Sequence, residues 1–268
     1  MGSLFVASCL SEINIMQTHF WSILAIFFKL FESVKVIKVA LAGAAFGAYS
    51  IIFSWQFALV LLSIIIFHEY GHVWAMKRFG IATKGIYLIP FVGGVAVGDK
   101  TSSEWQTVYI SLMGPIFGLL MTLIAYVIFL VTNNHFAGQI ASFSALINLF
   151  NLLPVLPLDG GQTVKAMVFS GKKYWGVLLL LISSAFFFAL SIQFGLFFIS
   201  FFIVLGVLDL LVSWKQLASE NKIAMEKYGI VVSLAWYLLT ISAFIAVIYA
   251  MAMSDLPGGN IAISILKS

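Results

Sequence analysis

The sequence predicts an all-α membrane protein, a polytopic bundle of about six to seven transmembrane helices with a short re-entrant or β-hairpin element between the second and third. Three observations carry this expectation. Hydrophobic residues make up 62% of the 268-residue chain and charged residues 9%, against about 45–50% and about 25% in a soluble domain. Repeated apolar runs are long enough, at about 17–25 residues, to cross a ~30 Å hydrocarbon core. Basic residues occupy alternate connections between those runs, as the positive-inside rule requires.

The runs lie near 39–55, 56–76, 105–131, 138–156, 174–192, 196–213 and 230–253. Lys29, Lys35 and Lys38 precede the first. Lys77, Arg78, Lys84 and Lys100 follow the second, Lys165, Lys172 and Lys173 the fourth, and Lys215, Lys222 and Lys227 the sixth. Of the 14 basic residues only Lys267 falls elsewhere. The N-terminus is therefore expected in the cytoplasm and the C-terminus on the opposite side. The net charge of +4 is spread over these connections and forms no basic stripe, so no nucleic-acid partner is expected.

Ahead of the first run, "FWSILAIFFKLFESVKVIKVA" mixes apolar residues with lysines and reads as an amphipathic helix lying in the cytoplasmic interface. Cys9 is the single cysteine, which excludes an intramolecular disulfide and a cysteine metal site. No basic and apolar leader precedes it to make "VASC" a lipoprotein signal, and Val6 breaks the myristoylation pattern. Between the second and third runs, "GIYLIPFVGGVAV" combines β-branched and aromatic residues with Gly and Pro, which suits short strands or a re-entrant hairpin. Thr101 and Glu104 have the spacing of a capping box for the third run.

The second run ends in "IIIFHEYGHVWAM". His68 and His72 are four apart, one turn along a single helical face, so both imidazoles can grip one ion. Glu69 points elsewhere and is free to act as general base on a water, the arrangement of HExxH zinc hydrolases. Ionisable groups at membrane depth cost about 2.5–3.5 kcal/mol each, so three within five positions demand a compensating partner.

Zinc takes a third protein ligand and keeps one position open. His135, in "TNNHFAG", is expected on the opposite side of the membrane, and His19 has no motif around it. Asp159 is better placed, at the end of "NLFNLLPVLPLDGG" on the cytoplasmic half. There Pro154 and Pro157 forbid regular helix and Gly160 and Gly161 permit a sharp turn. Asn151 can donate to a developing oxyanion or a peptide carbonyl. Asn148, one turn earlier, is assigned an interhelical hydrogen bond. Asp209 lies near the expected cytoplasmic end of the sixth run, within reach of water.

"HEYGH" followed by "NLLPVLPLDGG" resembles the site-2 protease family of intramembrane zinc metalloproteases, whose paired motifs HExxH and N-x-x-P-x-x-P-L-D-G both stand complete here. The resemblance covers about residues 40–165. Together with the apolar runs, this divides the chain into an expected N-terminal interfacial segment (1–38), a catalytic transmembrane core (39–165) and C-terminal transmembrane helices (166–268), of which the resemblance bears on the core alone. The resemblance implies one zinc ion per chain held by His68, His72 and Asp159, with Glu69 as base and Asn151 on the substrate backbone. "SLMGPIFG" looks like the family's middle core helix, with Gly114 and Gly118 allowing close packing. The strand-like segment around "IPFVGGVAV" is similar to a region that engages substrate by strand addition.

The implied activity is hydrolysis of a peptide bond within or near a transmembrane helix of a membrane-tethered substrate, as in regulated intramembrane proteolysis. Anti-sigma factors, transcription factors and remnant signal peptides are the substrates such a resemblance suggests. The implied setting is a prokaryotic cytoplasmic membrane with the active site toward the cytoplasm. The alternative, from a different class, is a zinc transporter or metal sensor using the same ligands, which calls for further ligands along a transmembrane path.

Overall fold

The computed structural model describes residues 34–91, 93–171, 173–219 and 222–254. In chain order the elements are α1 (Val34–Ile52), α2 (Trp55–Arg78), β1 (Thr83–Ile89), β2 (Gly93–Gly98), α3 (Glu104–Thr132), α4 (His135–Asn151), α5 (Asp159–Phe169), α6 (Lys173–Gln193), α7 (Phe197–Ser219) and α8 (Lys227–Met253). The helical bundle with a hairpin between its second and third helices matches the expected architecture. Of the expected interfacial segment only Val34–Lys38 is described, and it runs unbroken into α1; Cys9 and His19 lie outside the described residues.

Among the described residues, five helical stretches are long and apolar enough to cross a membrane: Lys35–Ile52, Trp55–Arg78, Glu104–Thr132, Trp175–Gln193 and Lys227–Met253. They carry apolar side chains outward, among them Leu123, Val127 and Val131 of α3 and Leu234, Leu238 and Ile245 of α8. Such a surface is stable against lipid tails, where backbone polar groups are satisfied within each helix. The fourth run behaves differently. Helix α4 has 17 residues, about 26 Å at 1.5 Å per residue, and the chain then unwinds from Leu152 to Leu158 before α5. Pro154 and Pro157 each withhold a backbone donor there, so one uninterrupted helix through 156 cannot form. In α7 the apolar stretch is Ile199–Leu208.

Helices α2, α3 and α4 form the centre, and small residues set their separation. A side chain on Gly71 would overlap the Met113 carbonyl, so this glycine lets α2 lie directly against α3. Ala137, Ala141 and Ala145 of α4, each four residues from the last, join the buried core with Val108, Leu112 and Ala125 of α3. Close approach of this kind replaces the hydrophobic drive that lipid cannot supply.

Strands β1 and β2 pair antiparallel, with Leu88 opposite Gly94 and Tyr87 opposite Val95. β1 rests on α1 and β2 on α2. The turn between them places Phe91 at φ 64°, where its N–H donates to the Tyr49 hydroxyl of α1 at 3.1 Å. Lys38 donates to the Lys84 carbonyl, tying α1 to β1 at its other end.

The N-terminus of α3 is capped two residues from the expected position. Ser103 accepts from the Gln106 N–H at 3.2 Å, and Gln106 Oε1 accepts from the Ser102 N–H at 2.9 Å. Thr101 instead pairs its hydroxyl with Thr107. The cap is fixed by a distant segment: the Ile223 N–H donates to the Ser102 carbonyl and the Glu104 N–H to the Ile223 carbonyl, both at 3.0 Å. Replacing Ser103 with Ala is expected to cost about 1 kcal/mol of stability, measured by denaturant titration of the detergent-solubilised protein, whereas Thr101→Ala costs less than half as much.

Candidate metal centre

Helix α2 delivers His68, Glu69 and His72 to the inside of the bundle, each less than 8% exposed. The fourth turn of α4 and the second turn of α3 fix the two imidazoles. His68 Nδ1 donates to Asn148 Oδ1 of α4 at 2.7 Å, and His72 Nδ1 donates to the Ile110 carbonyl of α3 at 2.7 Å. The donor assignment is forced, because a carbonyl oxygen only accepts and Asn148 presents its oxygen after its amide nitrogen donates to the Ser144 carbonyl at 2.7 Å. Pro115 removes the donor for the Ser111 carbonyl and opens α3 in the same turn that offers Ile110.

With both Nδ1 atoms protonated, both Nε2 atoms are bare lone pairs, and they face each other at 3.1 Å. Asp159, the first residue of α5, closes the set: its Oδ2 lies 3.0 Å from His68 Nε2 and its Oδ1 3.4 Å from His72 Nε2. Asp159 Oδ2 is buried and receives no hydrogen bond. Three acceptors thus converge with no proton between them, an arrangement that repels unless a cation lies at the centre. Tetrahedral ligands about 2.0–2.1 Å from zinc stand about 3.3 Å apart, which the observed separations approach. The residues present therefore fit a zinc ion.

His68, Glu69 and His72 also keep their ligand atoms within 4.8 Å of one another. Asp159, with its oxygens 3.0 and 3.4 Å from the two Nε2 atoms, offers a second carboxylate that could serve as third ligand. Glu69 is held from behind by β2, since a side chain on Gly94 would overlap its Cγ. Above the histidines, α3 offers Gly114, where a Cβ would meet both Nε2 atoms, and Gly118, where it would overlap the Asn148 amide. The small face seen in "SLMGPIFG" is therefore the roof of the centre. Thr122 continues it by donating to Ser144 Oγ at 2.9 Å, and Ser144 donates to the Gly118 carbonyl at 3.2 Å.

A cavity of about 900 Å³ opens on these residues. Asn151, at the C-terminal end of α4, lines it together with Glu69 and Asp159. Gly93, Gly94, Val95 and Ala96 of β2 form one wall, and Phe187 of α6, Phe194 of the turn after it and Phe202 of α7 the other. β2 has no strand on its far side among the described residues. The structure thus brings together all five residues singled out in the sequence: His68, Glu69, His72, Asn151 and Asp159. His135 is exposed at the start of α4, at the opposite end of that helix from Asn148. Asp209 falls within α7, but its side chain lies outside the described residues.

Sequence reasoning placed Asn148 between helices without its partner. The available signal was its register, four residues after Ser144 on the small face of α4. Substituting Asn148 with Leu is expected to weaken zinc binding about 10- to 100-fold, read by competition with a chelator. Gly114→Val is expected to abolish stoichiometric zinc binding, because its side chain occupies the point where the imidazoles meet.

Residues 56–141 match peptidase family M50. The chain is 32% identical over 145 residues to a zinc metalloprotease of Methanocaldococcus jannaschii, covering 51% of this chain and 40% of that protein. It is 35% identical over 109 residues to stage IV sporulation protein FB of Bacillus subtilis, covering 39% of this chain and 37% of that one. The matched segments span less than half the length of either relative. Among solved structures, the site-2 protease from Methanocaldococcus jannaschii is 21% identical with a TM-score of 0.49, covering 71% of this chain and 91% of that one.

Proposed function

From the kinship of this chain with peptidase family M50, we propose that it is an intramembrane zinc metalloprotease that hydrolyses a peptide bond within or near a transmembrane segment of a membrane-tethered substrate. The observation that carries this reading is the meeting of His68 Nε2, His72 Nε2 and the Asp159 carboxylate within 3.0–3.4 Å, beside Glu69 and inside an apolar bundle.

His68, His72 and Asp159 would hold one zinc ion per chain. Bound there, zinc supplies a Lewis acid that polarises the scissile carbonyl and acidifies a water. Glu69 takes the proton from the attacking water and returns it to the leaving amine, the two proton transfers that peptide hydrolysis requires. Asn151 donates to the substrate backbone at the cavity wall.

An α-helix buries its carbonyls in its own hydrogen bonds, so a substrate helix must be unwound before attack. The free edge of β2 supports this step: an extended segment added there would lie along Gly93–Ala96, with Glu69 beside Gly94. The basic residues in alternate connections support an orientation with the N-terminus and the active site toward the cytoplasm of a prokaryotic membrane. Membrane-tethered regulators and remnant signal peptides are the substrates in keeping with the motifs.

The transporter or sensor alternative needs a succession of ligands across the membrane. Among the described residues His68, Glu69 and His72 form the sole cluster of three or more such side chains, which favours hydrolysis. The test is Glu69→Gln in the purified full chain. Its zinc content stays at the wild-type level while cleavage of a transmembrane peptide falls about 100- to 10,000-fold. Retained cleavage by this variant, or wild-type protein that moves zinc across vesicles and cuts nothing, contradicts the reading.

A further inference from the structure

The unwound segment Leu152–Leu158 carries Asp159 into the metal centre, and its freed carbonyls are taken up by the C-terminal helices. The Leu152 carbonyl accepts from the Tyr237 hydroxyl of α8, with both groups buried. The Pro154 carbonyl accepts from Ser183 Oγ of α6 at 2.7 Å. Gly206 of α7 lies against the Leu156 carbonyl so closely that a Cβ would overlap it.

We infer that Tyr237 is a positioning residue for the metal centre, fixing Asp159 through the Leu152 carbonyl. The inference rests on the reading of the site as a zinc centre. Its geometry is short and direct: the Leu152 carbonyl also abuts Gly160, where a Cβ would overlap it. One carbonyl oxygen is therefore held between Tyr237 on one side and the residue following Asp159 on the other. A buried carbonyl left without a donor shifts until it finds one, and any such shift moves the start of α5.

Tyr237 is itself well anchored. Trp236, its neighbour, packs edge-on against Tyr109 of α3 with centroids 5.5 Å apart. At the far end of the helix Tyr126 of α3 donates to the Ala250 carbonyl at 3.1 Å. α8 is thus fastened to α3, the helix that also roofs the histidines, and the Tyr237 hydroxyl ties the unwound segment bearing Pro154 and Pro157 to that frame. The role lies far outside the two motifs, in a region where the sequence carries no signature.

The test compares Tyr237→Phe with Thr240→Val in the purified full chain. Thr240 is equally buried on α8, but its hydroxyl donates within its own helix, to the Trp236 carbonyl. Phe keeps the ring and its packing and removes only the donor. Tyr237→Phe is expected to weaken zinc binding about tenfold, to change the visible ligand-field bands of the Co²⁺-loaded protein, and to lower kcat while leaving KM within about twofold. Thr240→Val is expected to leave all three at wild-type values. Zinc affinity and Co²⁺ bands unchanged in Tyr237→Phe overturn the inference while leaving the zinc centre standing. Equal losses in both variants overturn it too, because general packing of α8 is then the cause. Wild-type protein that binds neither metal overturns the zinc reading and this inference together.

Discussion

Two bare imidazole nitrogens and a carboxylate meeting inside an apolar bundle is the constraint on which the rest of the structure depends. Each of His68 Nε2, His72 Nε2 and Asp159 is an acceptor, and each imidazole has already spent its proton on an outward bond to Asn148 or Ile110. Buried like-polarity groups at such distances are costly unless a cation joins them. Within a membrane, where ionisable residues are expensive individually, the arrangement is sustainable as a metal site and poorly sustainable otherwise.

The surrounding fold is what that constraint asks for. Small residues bring α3 and α4 close enough to touch the imidazoles, with Gly114 over both Nε2 atoms and Gly118 over Asn148. A hydrogen-bonded chain from Thr122 through Ser144 to Asn148 sets the orientation of His68 through groups more than one layer removed from the metal point. Asp159 arrives by a different route, from backbone that is irregular at membrane depth. Such backbone is tolerated only where protein or a wet cavity covers it, and here α6, α7 and α8 supply that cover on one side while the 900 Å³ cavity lies on the other. The C-terminal helices, although outside the region the motifs span, are structurally part of the centre.

Much of this was legible in the residues themselves. The four-residue spacing of His68 and His72 gave a shared helical face, two prolines ahead of "LDGG" gave the unwound segment, and the Gly and Pro punctuation after Lys84 gave the hairpin. What local pattern could not supply were choices settled by distant partners. Thr101 and Ser103 both offer a hydroxyl to the start of α3, and the cap falls to Ser103 with Ile223, more than a hundred residues away, bonded across that turn. The fourth apolar run reads as continuous through 156, yet it stops at Asn151 because the prolines outweigh hydropathy. Asn148 and Tyr237 look like ordinary polar residues in a bundle; only their partners, a histidine nitrogen and a freed carbonyl, distinguish them.

The central claim is that one metal ion joins His68, His72 and Asp159. X-ray absorption at the zinc edge of the purified full chain addresses it most directly, alongside elemental analysis of the same sample. The account predicts one zinc per chain, with two imidazole nitrogens and oxygen donors at about 2.0–2.2 Å. A preparation that is active yet free of metal, or a zinc shell lacking two imidazoles, would contradict it.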